Sequence, residues 1–166
     1  MSKQYIVFTG VGKTTWCKSH LNWVDLDVGW YDPVKDRNAV GNMFYFYPRW
    51  GYNCLIAGTA EVLEFIKFHQ KNELVNRVFR PNFVPLSINI ILPSKEMKAE
   101  ILDRIASRGC AQDLRYLTQV YDKNWEALDA ANFDTKVYLK PGQYLSDIID
   151  ETGEYKPGVE VIYGNK

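Results

Sequence analysis

Short apolar runs alternate with segments of helical character along most of this chain. Val, Ile, Leu and aromatic residues dominate these runs, and turn-forming or polar residues bound them. Parallel strands need crossover connections, which helices usually supply. The alternation therefore predicts an α/β domain with a mostly parallel sheet. The predicted strands are residues 5–8, 23–26, 53–57, 85–92 and 136–139, and residues 159–163 are a candidate edge strand.

Apolar residues recur at spacings of three or four between these runs, which is typical of helices with one buried face. A helix is predicted directly after Gly12, with Trp16 turned inward. Thr59 and Ser94 are the expected N-cap residues of the next two helices. A long amphipathic helix and a short closing helix at QYLSDIID follow them. The apolar stripe of the long helix consists of Leu114, Leu117, Tyr121, Trp125 and Leu128.

The composition fits one globular domain over residues 1–166. Twenty basic residues balance twenty acidic ones, which argues against a general binder of polymeric nucleic acid or of an anionic membrane. No run approaches the roughly 18 apolar residues that a membrane helix needs. Cys17, Cys54 and Cys110 have the spacing of neither a disulfide framework nor a zinc site, so a reducing, cytoplasmic location is expected. Monomer and homodimer both remain open.

The sequence TGVGKTT, residues 9–15, lies between the first predicted strand and the first predicted helix. This is the context of a Walker A loop, in which backbone N–H groups wrap the β-phosphate, a lysine reaches the β- and γ-phosphates, and a hydroxyl group holds Mg²⁺. Lys13 supplies the amine and Thr14 the hydroxyl group. The nucleotide-binding residues predicted on this basis are Gly10, Val11, Gly12, Lys13, Thr14 and Thr15.

The match to the Walker A pattern GxxxxGK[ST] is incomplete, because Val7 stands where the first glycine is required. In the interpretation that we favour, the loop is about three residues short of the pattern and the strand runs to Thr9, since Val7 and Phe8 look like buried strand residues. In the other, the loop has full length and the strand ends near Ile6. The variant loop of partition-type ATPases needs a lysine where Phe8 stands. A simple tight turn before a helix is the remaining alternative.

Asp25 and Asp27 alternate at the end of the second predicted strand, so their side chains are expected on the same side. Near a phosphate site, Asp25 would bind Mg²⁺ or its water shell together with Thr14, and Asp27 would face the acceptor. Gly58 and Thr59 follow the third predicted strand in place of a further carboxylate. A solvated strand end with two turn-forming residues is the alternative.

Arg104 and Arg108 are four residues apart on the helix predicted from Ser94, opposite its apolar face and before Gly109. Two guanidinium groups on one exposed face before a glycine suit a mobile lid, around residues 94–112, that closes over the transferred group. The alternative is an exposed helix face with ordinary solvated charges.

The aromatic segment FYFYPRW holds a further candidate anion site. Tyr47 and Trp50 would stack on a base while Arg49 meets a monophosphate. A hydrophobic cluster without a ligand is the alternative. His20 and His69 have no nucleophile or carboxylate pattern around them, which argues against a Ser or Cys hydrolase, and structural roles are expected for both.

The order of these motifs resembles that of the P-loop nucleotide kinases, especially the small deoxynucleoside monophosphate kinase-like proteins of bacteriophages. The motifs that carry the resemblance are IVFTGVGKTT, VDLD, LIAGTAEVLEFI, IILPSKEMKAEILDRIASRG, and NWEALD followed by KVYLKPGQYLSDII. Together they span nearly the whole chain. The resemblance implies a P-loop NTPase fold of three α/β/α layers with five parallel strands. It also implies ATP and Mg²⁺ as cofactors, and a nucleoside monophosphate or its deoxy form as acceptor.

We therefore expect phosphoryl transfer from ATP to such a nucleotide in the cytoplasm, or in the host cytoplasm if the chain is phage-encoded. A degenerate P-loop protein that binds nucleotide or a partner without catalysis is the alternative. A kinase for another small hydroxyl-bearing metabolite is a third hypothesis. The predicted catalytic residues are Lys13, Asp25, Arg104 and Arg108, the predicted metal ligands are Thr14 and Asp25, and the predicted acceptor-binding residues are Asp27, Arg49 and Trp50.

Overall fold

A computed structural model describes residues 2–27, 35, 36, 43, 46–71 and 87–164 of the chain. The strands in these residues are β1 (Gln4–Val7), β2 (Trp23–Leu26), β3 (Asn53–Ala57), β4 (Asn89–Pro93), β5 (Thr135–Leu139) and β6 (Ile162–Tyr163). The helices with bounds in these residues include α1 (Lys13–Ser19), α2 (Ala60–Lys71), α3 (Lys98–Ala106), α4 (Ala111–Ala130) and α5 (Leu145–Ile148). A 3₁₀ turn at Lys95–Met97 leads directly into α3.

The described strands form one sheet in the order β2-β3-β1-β4-β5-β6. Strands β1 to β5 are parallel, and β6 pairs with β5 in the antiparallel direction. Although β1 and β4 are neighbours, the chain leaves β1 toward one edge of the sheet and leaves β4 toward the other. The carboxyl ends of β1 and β4 therefore flank the topological switch point, where open α/β sheets bind their ligands.

The described helices form two groups. Helices α2 and α3 both contact α4, while α1 contacts α5. The connection from β1 to β2 and the connection from β3 to β4 run in opposite directions across the sheet, so right-handed crossovers place them on opposite faces. The sheet is thus covered on both sides, and the prediction of an α/β fold with a mostly parallel sheet is confirmed.

Helices on both faces explain why the central strands are continuous apolar runs. Every residue of β1 and of β3 is buried. Phe8, just after β1, packs edge-on against Tyr121 of α4, with ring centroids 4.9 Å apart. Ile101 and Ile105 form the buried face of α3. The core therefore fixes the end of β1 and the start of α3 against each other.

The observed strand bounds agree in part with those predicted from the sequence. Strands β2 and β3 have the predicted bounds, and β6 at Ile162–Tyr163 confirms the candidate edge strand within residues 159–163. Strand β1 ends at Val7, between the two predicted ends, while the amide of Phe8 still donates to the carbonyl of Ile91 at 3.0 Å. The interpretation in which the strand runs to Thr9 is wrong, because β1 ends two residues earlier, at Val7.

The two predicted helix caps have different outcomes. The hydroxyl of Thr59 accepts a hydrogen bond from the amide of Val62 at 3.2 Å, which confirms this cap. Ser94 does occupy the N-cap position, with an extended backbone, but its side chain makes no capping hydrogen bond. The chain begins with a 3₁₀ turn there, in which the amide of Met97 donates to the carbonyl of Ser94 at 3.0 Å.

Candidate functional site

The turn between β1 and α1 contains glycines in the left-handed region of backbone conformation. The angle φ is +88° at Gly10 and +105° at Gly12, which only glycine adopts without strain. A Cβ atom on Gly10 would also lie 2.9 Å from Cγ2 of Ile101. Both the backbone conformation and the packing against α3 therefore require glycine at position 10.

The backbone N–H groups of this turn are not used by the residues that the structure describes, and the turn is increasingly exposed from Gly12 to Thr15, whereas Val11 is buried. Within the described part of the chain, none of the N–H groups of residues 10–15 donates to a protein acceptor. The amide of Trp16 is the first that bonds back, to the carbonyl of Gly12 at 2.9 Å. Consecutive unpaired amides, in a turn with left-handed glycines, form a concave surface that suits phosphate or another anion.

The side chains of Lys13 and Thr14 both meet Asp25 of β2. The ammonium group of Lys13 forms an ion pair with Oδ1 of Asp25, and Oγ1 of Thr14 donates to Oδ2 at 2.9 Å. The side chains of Lys13 and Asp25 are only 14% and 24% exposed, so solvent screens this pair less than it screens a surface ion pair. The structure therefore brings together the predicted amine, hydroxyl and carboxylate.

The donor set of Thr14 and Asp25 is compatible with Mg²⁺. Both supply oxygen atoms, and Mg²⁺ is usually bound by one or two protein oxygen ligands together with phosphate oxygens and water. Among the described residues, no group of three or more His, Cys, Asp or Glu side chains is arranged to hold a metal ion. The residues thus fit an ion that arrives with a polyphosphate better than one held in a dedicated protein cage.

A cavity of about 610 Å³ opens beside the turn, at the switch point of the sheet. Its walls come from the turn, from α1, from α3 with the residues that follow it, and from residues 144–146. Trp16, His20 and Tyr144 contribute aromatic rings, and Asp103 and Arg108 contribute charges. This volume is in the range of small-molecule sites.

His20 is held in place by its neighbours. Its ring stacks on Trp16 with centroids 4.0 Å apart, and its Nδ1 lies 2.9 Å from the carbonyl oxygen of Trp16. These contacts agree with the predicted structural role. The side chain of His69 lies outside the described part of the structure.

Arg104 does not lie on an exposed face, so this part of the lid prediction is wrong. Its side chain is 9% exposed and forms an ion pair with Glu100. Its guanidinium group donates to the carbonyl of Gly10 at 3.3 Å and to that of Gln143 at 2.8 Å, and it stacks on the ring of Tyr144 at 3.8 Å. The prediction failed because the carboxyl end of β5 brings the segment 140–145 over this side of α3.

Arg108 lies beyond the end of α3 and is exposed at the cavity wall. Asp27 is exposed and directly follows the carboxyl end of β2, on the same side of the sheet as the turn. Both positions agree with a place at the carboxyl ends of the strands.

Arg49 and Trp50 lie near the amino ends of the strands, on the side of the sheet opposite the turn. They precede the amino end of β3, which runs parallel to β1, whereas the turn follows the carboxyl end of β1. The hydroxyl of Ser2, ahead of β1, donates to the carbonyl of Pro48 at 2.8 Å. A strand of this length spans about 15 Å, so these two residues are not brought to the turn between β1 and α1.

Gly58 occupies the position after β3 where no carboxylate was found. Its amide donates to the carbonyl of Val7 at 2.7 Å, and a Cβ atom there would lie 2.8 Å from the same oxygen and 2.9 Å from Cδ1 of Leu128. A side chain at this position would therefore collide with β1 and α4. Close packing accounts for the glycine.

Cys17 lies behind the ion pair, on α1. The pKa of its thiol is raised to about 11, chiefly by burial and also by the charge of Asp25, while Lys13 opposes the increase. Burial likewise raises the pKa of Cys54 to about 12. Cys110 is exposed, and all three cysteines are free.

The raised pKa values of Cys17 and Cys54 and the exposure of Cys110 predict that one thiol reacts rapidly. At pH 8 roughly one thousandth of Cys17 is thiolate, and the thiolate is the reactive form. We expect a colorimetric disulfide reagent at pH 8 to modify one equivalent rapidly and the others slowly. Cys110→Ser should remove the rapid phase, whereas rapid reaction of two equivalents in the native protein would contradict the buried position of Cys17.

The sequence interpretation missed the segment 140–145. Tyr144 stacks on Arg104, the amide of Leu145 donates to the carbonyl of Val11 at 2.8 Å, and the amide of Gly142 donates to the carboxylate of Glu100 at 3.1 Å. A signal was present, because this segment follows a predicted strand and ligands gather at the carboxyl ends of parallel strands.

Comparison of the chain with models of known protein families finds no match, and comparison with curated proteins finds none either. Among the described residues, no helix combines the length and the apolar character needed to cross a membrane. A function must therefore be inferred from the residues of this chain alone. The residues concerned form a glycine turn with unpaired amides, beside a lysine, a hydroxyl group and a carboxylate.

Proposed function

We propose that this protein is a P-loop nucleotide kinase, which transfers a phosphoryl group from ATP to a nucleoside monophosphate or its deoxy form. The observation that carries the proposal is the placement of the unpaired amides of residues 10–15 beside Lys13, Thr14 and Asp25. Each of these groups has a use in binding a polyphosphate with Mg²⁺. The turn also lies at the switch point of a mostly parallel sheet.

Catalysis in such a site rests on positioning and on neutralisation of charge. The amides of the turn hold the phosphate chain, and Lys13 places a positive charge on it. Mg²⁺, when bound, neutralises charge on the phosphate oxygens, and Thr14 and Asp25 are the residues that would hold it. Arg108, exposed at the cavity wall, is a cation placed where it can approach the transferred group. Asp27 stays the candidate for contact with the acceptor.

A nucleotide-binding protein without catalysis is the second candidate, and two observations favour it. Arg104, expected to close over the transferred group, is already paired with Glu100 and with two carbonyl groups. No carboxylate follows β3, because Gly58 packs directly on β1. These features weaken the case for turnover and leave the case for phosphate binding unchanged.

A coupled assay for ADP release, run with ATP, Mg²⁺ and a panel of nucleoside and deoxynucleoside monophosphates, tests the kinase proposal. We expect ADP release to depend on one or a few of the monophosphates, and to be slow with water as the only acceptor. Calorimetric titration with ATP, with and without Mg²⁺, is the companion measurement. ATP binding without transfer to any acceptor would support the second candidate, and no binding in either titration would refute both.

A further inference from the structure

The carbonyl groups of the phosphate turn are fixed by groups from outside the turn. The guanidinium group of Arg104 donates to the carbonyl of Gly10 at 3.3 Å. The amide of Leu145 donates to the carbonyl of Val11 at 2.8 Å. Two successive carbonyl oxygens are therefore held, one by α3 and the other by the segment after β5.

Fixing a carbonyl also fixes the next amide. A trans peptide unit is planar, so its C=O and the N–H that follows point in opposite directions. With the carbonyl of Gly10 turned toward Arg104, the N–H of Val11 faces away from that side chain. The N–H of Gly12 is set in the same way by the bond from Leu145. Within the described residues neither N–H has a protein acceptor.

Arg104 is itself held on several sides. Its guanidinium group forms an ion pair with Glu100, donates to the carbonyl of Gln143 at 2.8 Å, and stacks on Tyr144 at 3.8 Å. The carboxylate of Glu100 is in turn bound by the amide of Gly142 at 3.1 Å. A side chain that is 9% exposed and bound in this way cannot swing freely over a ligand.

We propose that Arg104 is a positioning residue, which orients the amides of the phosphate turn through the carbonyl of Gly10. This inference rests on the proposed function, since it assigns a task at the same site. It replaces the expected role of Arg104 as a clamp on the transferred group. Glu100 and Tyr144 hold the guanidinium group in the orientation in which it donates to the carbonyl of Gly10.

The test compares Arg104→Ala and Arg104→Lys with the native protein, and uses Arg115→Ala as the control because Arg115 is exposed on α4. The probes are the amide ¹H–¹⁵N signals of Val11 and Gly12 without ligand, and the affinity for inorganic pyrophosphate by calorimetry. Folding of each variant is checked by thermal denaturation.

For Arg104→Ala we expect both amide signals to shift, and pyrophosphate affinity to fall at least about tenfold, as for a lost charge-assisted hydrogen bond. Arg104→Lys retains a hydrogen-bond donor but not the planar guanidinium group. Its pyrophosphate affinity should therefore lie between that of the native protein and that of Arg104→Ala. Arg115→Ala should match the native protein. If Arg104→Ala does not fold, Arg104→Lys carries the test.

Other outcomes separate the inference from the proposed function. Unchanged amide signals with weaker binding would mean that Arg104 contacts the anion directly, and would overturn the positioning role. A loss of thermal stability with unchanged signals and affinity would assign Arg104 to structure alone. If the native protein binds neither pyrophosphate nor ATP, the proposed function fails, while the amide signals still decide whether Arg104 orients the turn.

Discussion

Replacing Lys13 with alanine is expected to lower phosphoryl transfer by about 10²–10³-fold, the loss typical of removing one preorganised charge or donor. Lys13 is the cation that the structure places at the start of α1, beside Asp25 and the open amides. A coupled assay for ADP release measures the effect. The same variant should also bind ATP more weakly, so the measurement remains informative if the protein only binds nucleotide.

The Lys13 variant needs two controls. Lys18→Ala removes an exposed lysine from the last turn of the same helix and should leave transfer unchanged. Lys13→Ala also leaves the carboxylate of Asp25 without its ion-pair partner, which costs about 1–3 kcal/mol of folding stability. The double variant Lys13→Ala, Asp25→Asn should recover part of that stability but none of the activity. Turnover equal to that of the native protein in Lys13→Ala would refute the proposed role of the turn.

Replacing Gly10 with alanine is expected to damage both the fold and the site. A backbone with φ of +88° costs a non-glycine residue about 1–2 kcal/mol. The new methyl group would lie 2.9 Å from Cγ2 of Ile101, and relief of such overpacking in a buried region costs about 1–3 kcal/mol. We expect the free energy of unfolding, measured in urea, to fall by about 2–5 kcal/mol.

Gly109→Ala separates these two effects. Gly109 also has a positive φ, of +76°, but nothing lies within 4 Å of a Cβ atom there. This control should lose only the backbone contribution, about 1–2 kcal/mol, and should bind ATP as the native protein does. In Gly10→Ala, ATP affinity should fall at least about tenfold. Equal losses of stability in the two variants would show that the contact with Ile101 is unimportant.

Those parts of the fold that follow from periodicity were predictable. The bounds of β2 and β3 could be read directly, because short β-branched and apolar runs stand between clear turn residues. The position of the glycine turn between a strand and a helix was also predictable, and so was its proximity to Asp25. Both depend on local sequence and on the parallel arrangement alone.

The side chains that meet across long distances in sequence could not be predicted. Arg104 lies opposite the apolar face of α3, which suggests exposure, yet the segment 140–145 covers it. Arg49 and Trp50 have suitable chemistry for a nucleotide, but the direction of β3 puts them at the wrong edge of the sheet. Periodicity tells which face of an element is buried, and it does not tell which distant segment lies over the other face.

The long-range contacts of β1 and its turn have a consequence for the order of folding. Arg104 and Gly10 are 94 positions apart, and the hydroxyl of Tyr5, in β1, donates to the carbonyl of Gly153 at 2.6 Å across 148 positions. During synthesis from the N-terminus, the turn leaves the ribosome long before its partners. The first segment to be made is therefore among the last to reach its final conformation, and nascent chains that end before residue 145 should lack the finished turn between β1 and α1.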